Sequence, residues 1–177
     1  MINPQLPIRI LLIEDSPSDQ DIFKEMIKDT CFASSNLVTV ERIKQGLTIL
    51  TQESEDILIL DLSLPDCLKL DGLIKIKQHY PALPVIILTG LSDVSVAMQS
   101  IHAGAQDYLV KGEYNHQLLE KSMLYAIERQ KNIIALQQQE QQLRKKQQII
   151  NQQNKLLEIK IEEKTADLKL ANQKLKR

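Results

Sequence analysis

Five side chains in this chain stand where they could do chemistry together. Glu14 and Asp15 follow the apolar run IRILLI at 8–13, and Asp61 follows DILIL at 56–60. Thr89 follows PVIIL at 84–88, and Lys111 follows QDYLV at 106–110. Three carboxylates brought together repel each other, at a cost of several kcal/mol in a partly buried site unless something compensates. A hard divalent cation with oxygen ligands is the natural compensation, and Mg²⁺ favours one or two carboxylates together with waters and a phosphate. The two remaining groups suit phosphoryl transfer, which needs charge neutralised on the equatorial oxygens. Mg²⁺ takes one oxygen, the Lys111 ammonium a second, and the Thr89 hydroxyl with nearby backbone N–H groups the third. Asp61 is then the nucleophile and carries an acyl phosphate. Each residue alone has an ordinary reading: an Asp that caps a turn, a Thr-Gly turn, a solvated Lys. Their joint occurrence after four apolar runs is what points to phosphoryl chemistry.

The elements must bring them together. The runs at 8–13, 56–60 and 84–88 are short, continuous and rich in Ile, as strands buried on both faces of a parallel sheet are. NLVTVERI at 36–43 and QDYLV at 106–110 are more polar and suit outer strands. Helical segments alternate with the strands. Ser16 can cap the first, Pro17 fits its first position, Asp19 complements its positive end, and Ile22, Phe23, Met26 and Ile27 recur at helical spacing. Others cover about 43–53 and 71–79, and a fourth runs from Ser92 or Asp93 to His102, with Gly104 as C-cap. Strand then helix, five times over, predicts an α/β fold: a doubly wound, five-stranded parallel sheet. Ligands of such sheets bind beyond the strands' carboxyl ends, where strand order reverses. In the order 2-1-3-4-5 the first and third strands adjoin at the reversal, which places Glu14, Asp15 and Asp61 at one edge.

After Gly112 the chain changes character. It holds no further Gly, and no Pro follows residue 84, so nothing breaks a helix from about Asn115 onward. A seven-residue pattern fits from Ile133. One seam reads Ile133, Glu140, Gln147, Asn154, Ile161, Leu168 and Leu175; the other reads Leu136, Leu143, Ile150, Leu157, Lys164 and Ala171. This predicts a parallel two-stranded coiled coil with Asn154 as a register-setting residue. An unpartnered helix of about 90 Å would leave the whole stripe exposed. The expected division is a domain at 1–130 and a coiled-coil extension at 131–177.

Composition narrows the classes. The net charge of −1 combines 9 basic and 15 acidic residues up to Gly112 with 13 basic and 8 acidic after it. An acidic first part suggests a cation site and speaks against a nucleic-acid surface. From residue 131 onward the basic helix has no aromatic and no docking motif, which again speaks against nucleic acid. No apolar run reaches the roughly 20 residues of a membrane span. MINPQLPIRI carries no secretory signal pattern, and Cys31 and Cys67 form neither a metal spacing nor a disulfide framework, so a cytoplasmic protein is expected.

The pieces LLIEDSPSD, ILDLSLPD, VIILTG and GAQDYLVKG together resemble the receiver domain of response regulators, over about residues 8–130. The resemblance implies a flavodoxin-like fold and Mg²⁺-dependent transfer from a phosphohistidine of a sensor histidine kinase or phosphotransfer protein. It implies phosphorylation on Asp61, with Asp15, Asp61 and the Ser63 carbonyl on the metal and Glu14 acting mostly through water. It further implies Thr89 and Lys111 on the phosphoryl group, and Tyr108 as a rotating aromatic. Two departures stand out. Gly112 follows the Lys where the family usually has a cis Pro, and the loop DCLKLDG after Pro65 is longer than usual. The tail LEIKIEEKTADLKLANQKLK is similar to signalling helices that lead into kinase modules.

The expected function is a phosphorylation-dependent response regulator, not an enzyme in turnover, that passes its signal through a dimeric C-terminal helix. Three alternatives compete. One is the receiver fragment of a larger hybrid kinase or cyclase. Another is a dimerising adaptor without phosphotransfer. The third is an Asp-nucleophile phosphatase, which would usually carry a second Asp two residues after the first; here Ser63 holds that place.

Overall fold

The structure is a computed structural model, described for residues 7–90 and 94–174. The chain alternates strand and helix: β1 (Arg9–Ile13), α1 (Pro17–Lys28), β2 (Asn36–Val40), α2 (Ile43–Gln52), β3 (Ile57–Asp61), α3 (Asp71–His79), β4 (Val85–Thr89), α4 (Val94–His102), β5 (Asp107–Val110) and α5 (His116–Lys174). All strand pairs are parallel, and the order is β2-β1-β3-β4-β5, as the strand–helix alternation predicts. Ser92 and Asp93, expected to open α4, lie outside the described residues.

Sequence pattern and burial agree strand by strand. β3 and β4 are buried at every position, whereas the outer strands β2 and β5 are mostly half-buried. Side-chain alternation divides the core in two. Ile10, Leu12, Ile57, Ile59, Ile86 and Leu88 meet Phe23 and Ile27 of α1 and Leu119, Met123 and Ile127 of α5. Leu11, Ile13, Leu58, Leu60 and Ile87 face Ile43 and Leu50 of α2 and Leu73 and Ile76 of α3. A continuous apolar run is what a strand with helices on both faces requires.

Local signals set the helix ends. Ser16 Oγ accepts from Asp19 N at 3.4 Å, and Pro17 opens α1. Asn115 caps α5, its Oδ1 accepting from Leu118 N at 2.9 Å. Gly104 follows α4 with φ of +103°, a conformation that L side chains adopt at a cost. α2 has no cap of its own, because Arg42 precedes it. Asp66, from the loop after β3, supplies one: its carboxylate accepts from Ile43 N at 3.1 Å and Lys44 N at 3.3 Å.

The contacts divide the chain into two compact units, residues 1–132 and 133–177. The second is helical through Lys174, and its described side chains are exposed apart from the half-buried Ile134. Ile133, Leu136, Leu143, Ile150, Leu157 and Ile161 of the expected seam are all exposed in the single chain. The side chains of Leu168 and Ala171, and all of Leu175, lie outside the described residues. No helix among the described residues is long and apolar enough to cross a membrane.

Candidate functional site

The carboxyl ends of the strands meet where the order reverses between β1 and β3. Ile13 pairs with Leu60 there, so the residues that follow, Glu14 and Asp61, leave the sheet side by side. Asp61 pairs with Leu88 of β4, and Thr89 pairs with Val110 of β5, directly before Lys111. Lys111 N donates to Thr89 O at 2.8 Å, which carries the ladder one step past the strand.

Glu14, Asp15 and Asp61 each present a carboxylate oxygen within 4.8 Å of the others. Glu14 is fully buried and Asp61 is 3 % exposed. Lys111 faces them: Nζ donates to Asp61 Oδ2 at 3.1 Å and lies 2.7 Å from Glu14 Oε2 as an ion pair. That second contact is close without the alignment of a hydrogen bond, so Glu14 Oε2 has no hydrogen-bond partner among the described residues, and neither has the buried Asp61 Oδ1. Buried acceptors without donors are rare and call for an explanation.

The charges respond to this crowding. Burial, reinforced by the Asp61 charge, pushes the Glu14 carboxyl up from 4.5 to about 7 against the opposing pull of Lys111 and Ser16 N–H. Burial alone would lower the Lys111 ammonium, but its close contacts with Glu14 and Asp19 and the charges of Asp61 and Glu14 outweigh that and raise it. Lys111 is therefore a permanent cation. Tyr114, in the core beside the site, has its hydroxyl pushed up to about 12 by burial and keeps its proton.

The other expected residues are placed as follows. Thr89 is fully buried at the end of β4, and its hydroxyl donates weakly to Gly90 O at 3.3 Å. Tyr108 is half-buried and packs on the face of the sheet that carries α3, with Val96 and Ala103 among that face's partly buried members. Ser63 is exposed and lines a cavity of about 200 Å³ with Leu62, Leu64, Cys67, Leu68 and Val96. The loop after Pro65 bends through Lys69, a non-glycine residue at φ +34°. Gly112 turns the chain after Lys111 at φ +82°, with open space where a Cβ would stand.

Two contacts escaped the sequence reading. Asp19 Oδ2 accepts from Lys111 Nζ at 2.9 Å. The reading placed Asp19 at the positive end of α1. The missing signal was that α1 starts at this same edge, so its first turn faces the site. Gln20, also in that turn and buried, donates from Nε2 to Glu14 O at 2.6 Å and holds the acidic turn in place.

Comparison with known proteins agrees with the fold. Residues 10–123 match the family model of the response regulator receiver domain. The chain is similar to the cell cycle transcriptional regulator CtrA of Caulobacter vibrioides, 27% identical over 123 residues, covering 70% of this chain and 51% of the relative. It is similar at 27% over 113 residues to the glycerol metabolism activator of Pseudomonas putida, covering 63% and 51%. The chain thus spans about half the length of these curated relatives. Among solved structures, a response regulator receiver domain protein from Clostridium thermocellum superposes with a TM-score of 0.64 at 30% identity, covering 71% of this chain and 98% of that one. A CheY-like receiver domain protein from Methanospirillum hungatei shares the fold at 23% identity and a TM-score of 0.63, covering 72% and 98%. The chain belongs to the response regulator receiver domain family.

Proposed function

We propose that this chain is a phosphorylation-controlled switch in which Asp61 accepts a phosphoryl group from a phosphohistidine of a sensor histidine kinase or phosphotransfer protein. One observation carries the reading. Asp61 Oδ2 is held by Lys111 while Oδ1, buried and without a donor among the described residues, stands beside two further carboxylates. An oxygen-only donor set of this kind fits Mg²⁺. Asp15 and Asp61 would hold the ion with the Ser63 carbonyl, and Glu14 would act through water. When bound, it would neutralise one oxygen of the transferring phosphoryl group.

The chain's own groups account for the rest. An Asp61 carboxylate oxygen attacks phosphorus, the bond from phosphorus to the donor nitrogen breaks, and the imidazole keeps the electron pair. The product is a mixed anhydride on Asp61. The Lys111 ammonium, fixed as a cation, stabilises a second phosphoryl oxygen. The buried Thr89 hydroxyl, only weakly bonded to Gly90 O, turns to the third. Thr89 moving inward frees room for Tyr108 to follow, and the surface around α4 and β5 changes with it.

The domain spans 1–130, and 131–177 forms a parallel homodimeric coiled coil through which the signal passes. The exposed row Leu136, Leu143, Ile150, Leu157 supports this pairing, because it lies on one seam of the heptad. The reading is of a cytoplasmic phosphoacceptor without sustained turnover on small phosphoesters, Ser63 standing where a phosphatase would carry its acid. Incubation with acetyl phosphate and Mg²⁺ tests it: wild type gains phosphate and Asp61→Asn does not. Equal labelling of both, or none of either, removes the assignment.

A further inference from the structure

Lys111 is held from three sides. Its Nζ lies 2.7 Å from Glu14 Oε2, 2.9 Å from Asp19 Oδ2 and 3.1 Å from Asp61 Oδ2, and the last two are hydrogen bonds. Asp19 lies outside the trio of carboxylates that could share a cation. The backbone beside Lys111 does little to aim this long side chain. β5 is an edge strand, paired among the described residues with β4 alone. Lys111 is followed by Gly112 at φ +82°, with nothing within 4 Å of a Cβ there. A lysine stem has many rotamers to lose on fixing. Asp19 is anchored quite differently, in the first turn of α1, where its own N–H bonds to the Ser16 cap.

We propose that Asp19 is a positioning residue: it holds the Lys111 ammonium over Asp61, supplying from α1 the aim that the glycine-flanked end of β5 does not. The inference rests on Asp61 being the phosphoacceptor. A competing role is a field effect, in which a fourth nearby carboxylate simply tightens cation binding. The two differ in whether Asp19 works through Lys111, and a double-mutant cycle separates them.

The measurement uses the full chain with acetyl phosphate at saturating Mg²⁺, comparing wild type, D19N, K111M and the double variant. Asp19→Asn slows phosphorylation about tenfold, as a mis-aimed charge in a transfer site does. In the K111M background the same change costs less than twofold. Any general loss of structure would persist in that background, so it cannot imitate this result. If K111M is too slow to time, the Lys111 Nζ proton resonance decides: visible in wild type through its hydrogen bonds, shifted and broadened in D19N. Wild-type rates in D19N, an equal loss with and without Lys111, or an unchanged resonance would overturn the proposal. Should wild type itself gain no phosphate, the reading of Asp61 fails first; should it label normally while D19N matches it, only the role of Asp19 fails.

Discussion

At the scale of single residues, the site is a cluster of acids held together by one ammonium. Glu14 shows the strain most plainly, its carboxyl raised to about 7 by burial. In the absence of a divalent cation the folded protein binds more protons than the unfolded chain between pH 4.5 and about 7. Its stability therefore falls as pH rises through that window, by on the order of 1–3 kcal/mol. Urea unfolding at pH 5 and pH 8 measures this. Glu14→Gln flattens the dependence, and Mg²⁺ at pH 8 restores the loss; a stability that rises with pH in the cation-free protein contradicts it. Glu14, Asp15, Asp61, Thr89 and Lys111 were legible as candidates because each follows an apolar strand. Asp19 was not, because a side chain in the first turn of a helix has an ordinary role there, and only the placement of α1 reveals the second.

At the scale of elements, periodicity and turn chemistry decided most of the fold. Continuous Ile- and Leu-rich runs became β1, β3 and β4, and the polar runs became the outer strands. The expected outer strand at 36–43 ends instead at Val40, and Ile43 begins α2, buried against β1 and β3. The run looked longer because Ile43 is apolar in either role. The N-terminus of α2 was equally hidden, since its cap comes from Asp66, far along the chain. Because Asp66 satisfies two N–H groups of that first turn, Asp66→Ala costs about 1 kcal/mol, the usual size of a lost cap. Chemical denaturation reads this directly, and no change in the midpoint contradicts it. The same substitution unties the loop that runs past Ser63, so the loop's position is coupled to α2.

At the scale of the whole molecule, the composition changes after Gly112, the expected division lies between 130 and 131, and the contacts divide the chain after Asn132. The sequence could not show how unit 133–177 is covered. Its seam is polar early on one side and apolar on the other, and in the single chain Leu143 and Ile150 are 60% and 48% exposed. Pairing through this seam predicts a dimer mass in solution for the full chain. Leu143→Asp with Ile150→Asp weakens that dimer by on the order of a hundredfold, because each chain loses two buried apolar groups. A wild-type monomer at the same concentration contradicts pairing. The claim beneath all of this is the chemistry of Asp61, and trapping the modified residue tests it most directly. Borohydride converts an aspartyl phosphate to homoserine, which peptide mass spectrometry locates. After treatment with acetyl phosphate and Mg²⁺, homoserine is predicted at position 61 alone. Homoserine at another aspartate, or none anywhere, would contradict the account.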